Sequence, residues 1–335
     1  MQFNIFFKRL KSLLPLVFPF FLLLGILSIV IAEIHTSFLF SLFLPVLVVI
    51  NIFQFIILLV KKKKTAIFNL SVLVLFFICF DFFYQFNFEE DKKTNDTFSI
   101  MSYNSNSFRH DSIVNNGIVD ALRGIKPDIL FCQEFSYFKL DGFKTYPFRF
   151  IGYRREFKKS LQVVLSKYPI KNKGYIDFPK TRNNAMFVDV EINDRVIRVY
   201  NLHLESFKLD VRNDIGNLSS SYKYLLPRFV YAEEKRIAQA NVVRNHINNF
   251  DGDVIVLGDF NSTQYSSVYR ILKGDREDTF VAQGSGFGST FKLLNYPFKV
   301  DHILVDPSFE VVRHENFNLQ LSDHEPVLVE LRFKN

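Results

Sequence analysis

Residues 254–261 read Val-Ile-Val-Leu-Gly-Asp-Phe-Asn. Four consecutive apolar residues, three of them β-branched, have the length and composition of a buried strand. Gly258 permits a tight exit from it. Asp259 and Asn261 lie two apart on an extended segment and so point to the same side. Immediately upstream, Tyr231–Asn249 carries Ile237, Ala240, Val243 and Ile247 at helical spacing, so a helix runs directly into a strand over Asp253–Leu257.

The same pattern of an apolar run beside a short polar motif recurs four more times. Phe98–Tyr103 leads to Asn104, Ile129–Cys132 to Gln133-Glu134, and Val196–Tyr200 to Asn201-Leu202-His203. Val300–Val305 contains Asp301-His302 and precedes Ser322-Asp323-His324. Between these runs, Leu161–Ser166, Ala185–Ile192, Phe309–Val312 and Val327–Phe333 read as strands, and Asn193-Asp194 as a hairpin turn. Ser112–Gly124 reads as a helix with Asp111 or Ser112 as N-cap and Gly124 at its end. Hairpins mixed with occasional helices favour a layered α/β domain with mixed sheets over a purely parallel one.

The first 87 residues differ from the rest. Three apolar stretches, 13–32, 38–60 and 66–83, are each close to the roughly 20 residues that cross a hydrocarbon core about 30 Å thick. They predict three transmembrane helices. A cleavable signal peptide competes for the first stretch, because Lys8, Arg9 and Lys11 precede it, but two further apolar segments follow at once. Lys61–Lys64 lie between the second and third stretches, whereas only Glu33, Ile34, His35 and Thr36 separate the first two. Basic loops stay cytoplasmic. The expected topology is therefore a multi-pass membrane protein, in a bacterium of the inner membrane, with a cytoplasmic N-terminus and an extracytoplasmic C-terminal domain. Residues 88–97 read as a linker and 98–335 as the catalytic domain.

The net charge of +7 over 335 residues misleads until it is divided. Residues 1–87 hold seven Lys/Arg and two Asp/Glu, leaving 34 and 32 in 88–335. A domain this near neutrality argues against strong generic nucleic-acid binding. Cys79 and Cys132, in an apolar span and a buried strand respectively, do not suggest a disulfide.

Carboxylates, amides and histidines at strand ends suit a divalent cation and a phosphate ester. Glu134 offers a hard oxygen ligand of the kind Mg²⁺ takes, although a strand-end Glu alone is usually a surface residue. Asn104 alone would be a turn former. Asp259 and Asn261 form a more specific pair, one to orient or deprotonate water and the other to hold a phosphoryl oxygen. His324 is suited to acid–base work or charge stabilisation near neutral pH, with Asp301 as the acid that orients it. His203 offers a further group for phosphate.

Together and in this order the motifs resemble the endonuclease/exonuclease/phosphatase superfamily over about Phe98–Phe333. The resemblance includes Leu165-Ser166-Lys167-Tyr168-Pro169-Ile170, similar to a Leu-Ser-x-x-Pro-Ile stretch of that group. It implies a four-layer α/β/β/α sandwich of two mixed sheets, and hydrolysis of phosphate esters dependent on Mg²⁺ or Mn²⁺. It further implies metal-site positions at Asn104 and Glu134, phosphate-binding groups at His203 and Asn261, and a water-activating residue at Asp259. Asp323 would be a metal ligand or a carboxylate just outside the ligand set, and His324 the essential histidine. Two positions depart from the pattern: Asp301-His302 stands where members often have Asp-Tyr, and Asn106 where many nucleases carry Asp. The expected partners are a phosphate-ester substrate, with a lipid headgroup favoured, and the bilayer itself. The alternatives are an extracytoplasmic nuclease acting on DNA or RNA and an inactive membrane scaffold.

Overall fold

A computed structural model describes residues 2–31, 37–87, 96–108, 117–152, 159–207, 218–293 and 296–334, with side chains described outside 2–12 and 218–224. The chain divides into two compact units, 1–83 with 265–267 and 84–264 with 268–335.

The first unit holds helices α1 (Gln2–Val30), α2 (Ser37–Val60) and α3 (Thr65–Cys79). Leu22, Ile26 and Ile29 of α1 pack with Leu44 and Val48 of α2 and with Val72, Leu73 and Phe76 of α3. Pro19 has no N–H to give the carbonyl four residues back. That carbonyl, of Pro15, accepts instead from Gln54 Nε2. Asn51 Nδ2 donates to Phe18 O at 3.2 Å, and Asn69 Nδ2 donates to Asn51 Oδ1 at 3.3 Å. Side-chain amides thus tie the three helices together, as they do where water is scarce. The outward faces are apolar too, with Phe53, Ile67 and Ile78 exposed by 63%, 70% and 75%.

Two of these helices, over Leu13–Val30 and Ser37–Val60, are long and apolar enough to cross a membrane. The expected third span is not found at that length. Helix α3 has 15 residues and ends where Phe80 turns extended (φ −141°, ψ 144°), so it measures about 22 Å. Apolar residues continue to Phe83 on either side of the charged Asp81, but the helix does not.

The second unit contains strands β1 (Gln85–Phe86), β2 (Phe98–Asn104), β3 (Ile129–Gln133), β4 (Phe148–Gly152), β5 (Gln162–Ser166), β6 (Ile170–Asp177), β7 (Asn184–Ile192) and β8 (Arg195–His203). They continue with β9 (Val254–Asp259), β10 (Glu277–Asp278), β11 (Ser285–Gly286), β12 (Phe291–Leu293), β13 (Tyr296–Phe298), β14 (Asp301–Val305), β15 (Phe309–Asn316) and β16 (Val327–Phe333). The helices are α4 (Gly117–Ile125), α5 (Leu218–Asn248), α6 (Ser267–Lys273) and α7 (Thr279–Gln283). The N-cap expected at Asp111 or Ser112 lies outside the described residues. Helix α5 begins well before the expected Tyr231 and continues through Pro227.

Two six-stranded mixed sheets form, ordered β15-β16-β2-β3-β5-β4 and β10-β14-β9-β8-β7-β6. Each has a single parallel pair at its centre, β2–β3 in one and β8–β9 in the other, with antiparallel neighbours outside. A parallel pair requires a crossover, and α4 and α5 lie in the chain between its two members. The sheets share one core that includes Ile100, Phe131, Val188, Val199, Leu257, Ile303 and Val329. The opposite face of the first sheet packs Met101 and Leu130 against Ile118 and Leu122 of α4. The opposite face of the second packs Val254 and Val256 against Ala240 and Val243 of α5.

Candidate active site

Strand periodicity builds the site. Side chains two residues apart share a face. Ile100 and Phe131 face the shared core, and the same parity puts Asn104 and Gln133 on that inner face at the strand ends. In the other sheet, Val199, Leu257 and Ile303 put Asn201, His203, Asp259 and Asp301 on the facing side. The register aligns them, pairing His203 with Asp259 and Asp259 with Asp301 across adjacent strands. One rim of the sandwich therefore carries a polar row on each sheet.

The rows join directly. Asn104 Nδ2 donates to Asp259 Oδ2 at 3.0 Å, and Gln133 Nε2 donates to Asn201 Oδ1 at 2.6 Å. Asp259 also accepts from the Asn261 backbone N–H at 2.8 Å and from Asn261 Nδ2 at 3.1 Å, while that amide donates to Leu204 O at 3.0 Å. His203 Nε2 lies 3.5 Å from Glu134 Oε1 and 3.9 Å from Asp259 Oδ2, and its Nδ1 meets Ser160 Oγ at 3.3 Å. His324 Nδ1 pairs with Asp301 Oδ2 at 2.8 Å, and its Nε2 lies 3.8 Å from Asp259 Oδ2. Asp259 is the hub, reached by Asn104, Asn261, His203 and His324.

Backbone conformations at the strand exits are unusual. Glu134 and Asn261 adopt φ of 44° and 49°, left-handed values that cost a non-glycine residue roughly 1–3 kcal/mol. Gly258 has φ 124°, and a Cβ there would strike the Leu202 carbonyl oxygen of the neighbouring strand and sit 2.8 Å from its nitrogen. Strand β9 runs that close to β8 only because residue 258 has no side chain.

Burial and charge set the protonation states. Burial pushes His203 down, against the opposing pull of Asp259. Burial pushes Asp259 up, and the nearby Asp301 adds to the rise. For His324, burial alone would depress the imidazole, but Asp301 and Asp259 outweigh it and lift it to about 10. His324 is thus an imidazolium at neutral pH and His203 is neutral.

Asp259, Asp301 and His324 form the tightest acid–histidine group, their donor atoms all within 4.8 Å of one another. The charged His324 and its two carboxylates act as one electrostatic unit. Glu134, whose side chain is 30% exposed, adds a further carboxylate at this rim. Asn104 Oδ1 already accepts from the Asn106 backbone N–H at 3.1 Å. Asp301 Oδ1 is buried with no hydrogen-bond partner. An all-oxygen set of this kind fits a hard cation such as Mg²⁺. Asp323 is exposed and accepts from Ser322 Oγ at 3.1 Å.

His302 faces away from this rim. Its Nε2 meets Ser262 O at 2.9 Å and its Nδ1 meets Lys299 Nζ at 3.0 Å. Lys299 also pairs with Asp278 Oδ2 at 2.6 Å, and Tyr269 OH donates to the same oxygen at 2.7 Å. Burial would raise Asp278, yet Lys299 and His302 hold it well below the usual carboxylate range. This buried set backs the strand that carries Asp301. Thr290 supports it as well, its Oγ1 accepting from the Asp301 backbone N–H at 3.1 Å. Ser160, Thr290, Asp278 and Lys299 escaped the sequence reading, having neither motif nor spacing. Gln133 and Asn201 stood in quoted motifs, and inner-face parity was the signal for them.

Residues 101–324 match the Endonuclease/Exonuclease/phosphatase family. The chain belongs to that family. Its members are phosphoesterases and nucleases that typically use divalent metals. No curated protein matches the sequence. Among solved structures, D. rerio TDP2 complexed with single-strand DNA product is similar at 18% identity and TM-score 0.51, covering 70% of this chain and 99% of that one. A mannosyl-6-phosphatase from Bacteroides thetaiotaomicron VPI-5482 is 21% identical with TM-score 0.52, covering 70% and 100%. A family member from Beutenbergia cavernae is 16% identical with TM-score 0.54, covering 72% of each chain. At these identities the likeness concerns the fold.

Proposed function

We propose that this family member is a membrane-anchored, Mg²⁺- or Mn²⁺-dependent phosphoesterase whose domain, residues 98–335, hydrolyses a phosphodiester of a lipid headgroup outside the cytoplasm. The observation that carries the reading is the convergence on Asp259 of Asn104, Asn261, His203 and the Asp301–His324 pair, with Glu134 beside them. Glu134 and Asn104 would hold the cation, with Asp323 outside them. When bound, the ion neutralises charge that develops on the phosphoryl oxygens.

The chain's own groups supply the rest. Asp259, raised by burial, is tuned toward the range of a proton acceptor and takes the proton of the attacking water. As the water oxygen bonds to phosphorus, the ester P–O bond breaks on the opposite side. His203 holds a non-bridging oxygen, as does Asn261 once its amide turns one hydrogen away from Asp259 or Leu204 O, and the His324 imidazolium, oriented by Asp301, stabilises the charge that grows there. Apolar exteriors on α1 and α2 support the anchor. With Lys61–Lys64 as a cytoplasmic loop after the second span, the extracytoplasmic placement further requires that α3 and the apolar residues up to Phe83 complete a third crossing.

The test is hydrolysis by the detergent-solubilised full chain with Mg²⁺, offered sphingomyelin, phosphoinositides, plasmid DNA and a chromogenic bis-phosphodiester. The reading expects turnover of a lipid phosphodiester, loss with EDTA, and loss of about 10²–10³-fold in Asp259→Asn and Glu134→Gln. Turnover confined to DNA, weakening steeply with salt, would select the nuclease reading instead. Absence of any Mg²⁺-dependent hydrolysis would leave the scaffold.

A further inference from the structure

Three aromatic rings gather on one edge of the second unit. The Tyr84 ring lies 4.7 Å from that of Phe86 and 5.0 Å from that of Phe287, the latter edge-on at 89°. Phe86 and Phe287 are exposed by 67% and 56%. The exposure is built in. Strands β1 and β11 pair Gln85 with Gly286 and Phe86 with Ser285, and Asn87 Nδ2 donates to Ala282 O at 3.2 Å. Phe287 is then presented between Gly286 and Gly288, at φ 72° and 59°. Both glycines take conformations that other residues adopt at a cost.

Chain length says what such a cluster meets. Tyr84 follows the end of α3 at Cys79 by five residues, a reach of at most about 18 Å. On the anchoring reading above, these rings lie next to where the chain leaves the bilayer, the level at which aromatic side chains concentrate. Chain length also ties the cluster to the site. Phe287 precedes Thr290 by three residues, and Thr290 Oγ1 accepts from the Asp301 N–H. The next residue, Phe291, pairs with His324 as a β-bridge and sets its ring 4.9 Å from the imidazole, tilted by 41°. A single strap, 287–291, therefore carries an exposed ring at one end and backs His324 at the other.

We infer that Tyr84, Phe86 and Phe287 form a lipid-docking surface that seats the catalytic rim on the headgroup layer of the bilayer in which the chain is anchored. The inference rests on the proposed anchoring and deepens the substrate assignment. A rim held at headgroup depth meets phosphodiesters whose acyl chains stay in the membrane, so the substrate class is a membrane-resident phospholipid.

The chain has no tryptophan, so Phe287→Trp introduces the sole indole. The full-length variant is placed in phosphatidylcholine vesicles with or without brominated acyl chains. The expected result is blue-shifted emission, quenched by bromine and shielded from aqueous iodide. Val196→Trp, seven residues before His203 at the other end of β8, should emit as indole in water. A second variant, Phe86→Ser/Phe287→Ser, should lose about tenfold or more of its turnover of vesicle phospholipid while keeping that of a soluble chromogenic phosphodiester. Retention of F287W in the membrane pellet with iodide-quenched emission would overturn the inference alone, as would blue-shifted emission indifferent to bromine, which signals a protein partner. Release of the chain by alkaline extraction would overturn the anchoring reading and this inference with it.

Discussion

Replacing Asp301 by Asn should release the His324 imidazole from its elevated titration. The wild-type imidazole is lifted from 6.5 to about 10, in the order of influence by burial, which opposes the shift, then by Asp301 and by Asp259. Removing one partner of a buried, hydrogen-bonded ion pair costs roughly 3–5 kcal/mol. At about 1.4 kcal/mol per pH unit, the midpoint should fall by roughly two to four pH units. The assay is an NMR titration of protein labelled with ¹³C at histidine Cε1, in EDTA so that no bound cation contributes. Burial pushes His203, His302 and His314 down, and an ordinary histidine is neutral above pH 8. A resonance still protonated at pH 8.5 therefore reports His324, and in Asp301→Asn it should have lost most of its protonation at that pH. The sign for stability follows. Because the folded-state value lies above the unfolded one, the stabilisation is full below about pH 6.5 and is lost as pH rises through about 10. A wild-type midpoint near 6.5, or one unmoved by Asp301→Asn, would refute the electrostatic account of this pair.

Other substitutions test the frame around the site. Gly258→Ala adds a Cβ against Leu202 at positive φ, and strain plus overpacking should lower stability by roughly 2–6 kcal/mol in denaturant unfolding. Arg236→Leu strips the partner from the fully buried Glu233, which it meets at 2.6 Å; a loss of about 3–5 kcal/mol is expected. Lys299→Met should cost a similar amount at neutral pH, with Asp278 no longer held down. For the wild-type chain, the stabilisation from that depressed carboxyl is present above about pH 4 and fades as acid is added, a trend Lys299→Met should flatten in thermal melts.

How much of this was legible in the sequence depends on range. Runs such as Val254–Leu257 declare buried strands by composition, and period two carries the parity of Asn104, His203, Asp259 and Asp301 onto one face. That an inner face exists at all, and that two rows meet across it, is not local information. Asn104 and Asp259 are 155 residues apart yet share a hydrogen bond. The buried pair of Asp278 and Lys299 looks on paper like two surface charges. Ser160 and Thr290 have side chains too common to signal anything. The third apolar stretch failed for the opposite reason. Residues 66–83 pass as one apolar stretch by average hydropathy, which absorbs the single charge of Asp81, while the backbone leaves the helix at Phe80 just before it. Helix α5 starts at Leu218, upstream of the apolar spacing of Ile237, Ala240, Val243 and Ile247 that marks it in the sequence, and its backbone passes through Pro227.

Crystals of the full chain soaked in Mn²⁺, with data collected at the manganese absorption edge, probe the centre of the account most directly. A single strong anomalous peak bonded to a Glu134 carboxylate oxygen, facing the cluster around Asp259, is the expected outcome. Manganese bound only elsewhere, with Glu134 bare at saturating ion, would contradict it.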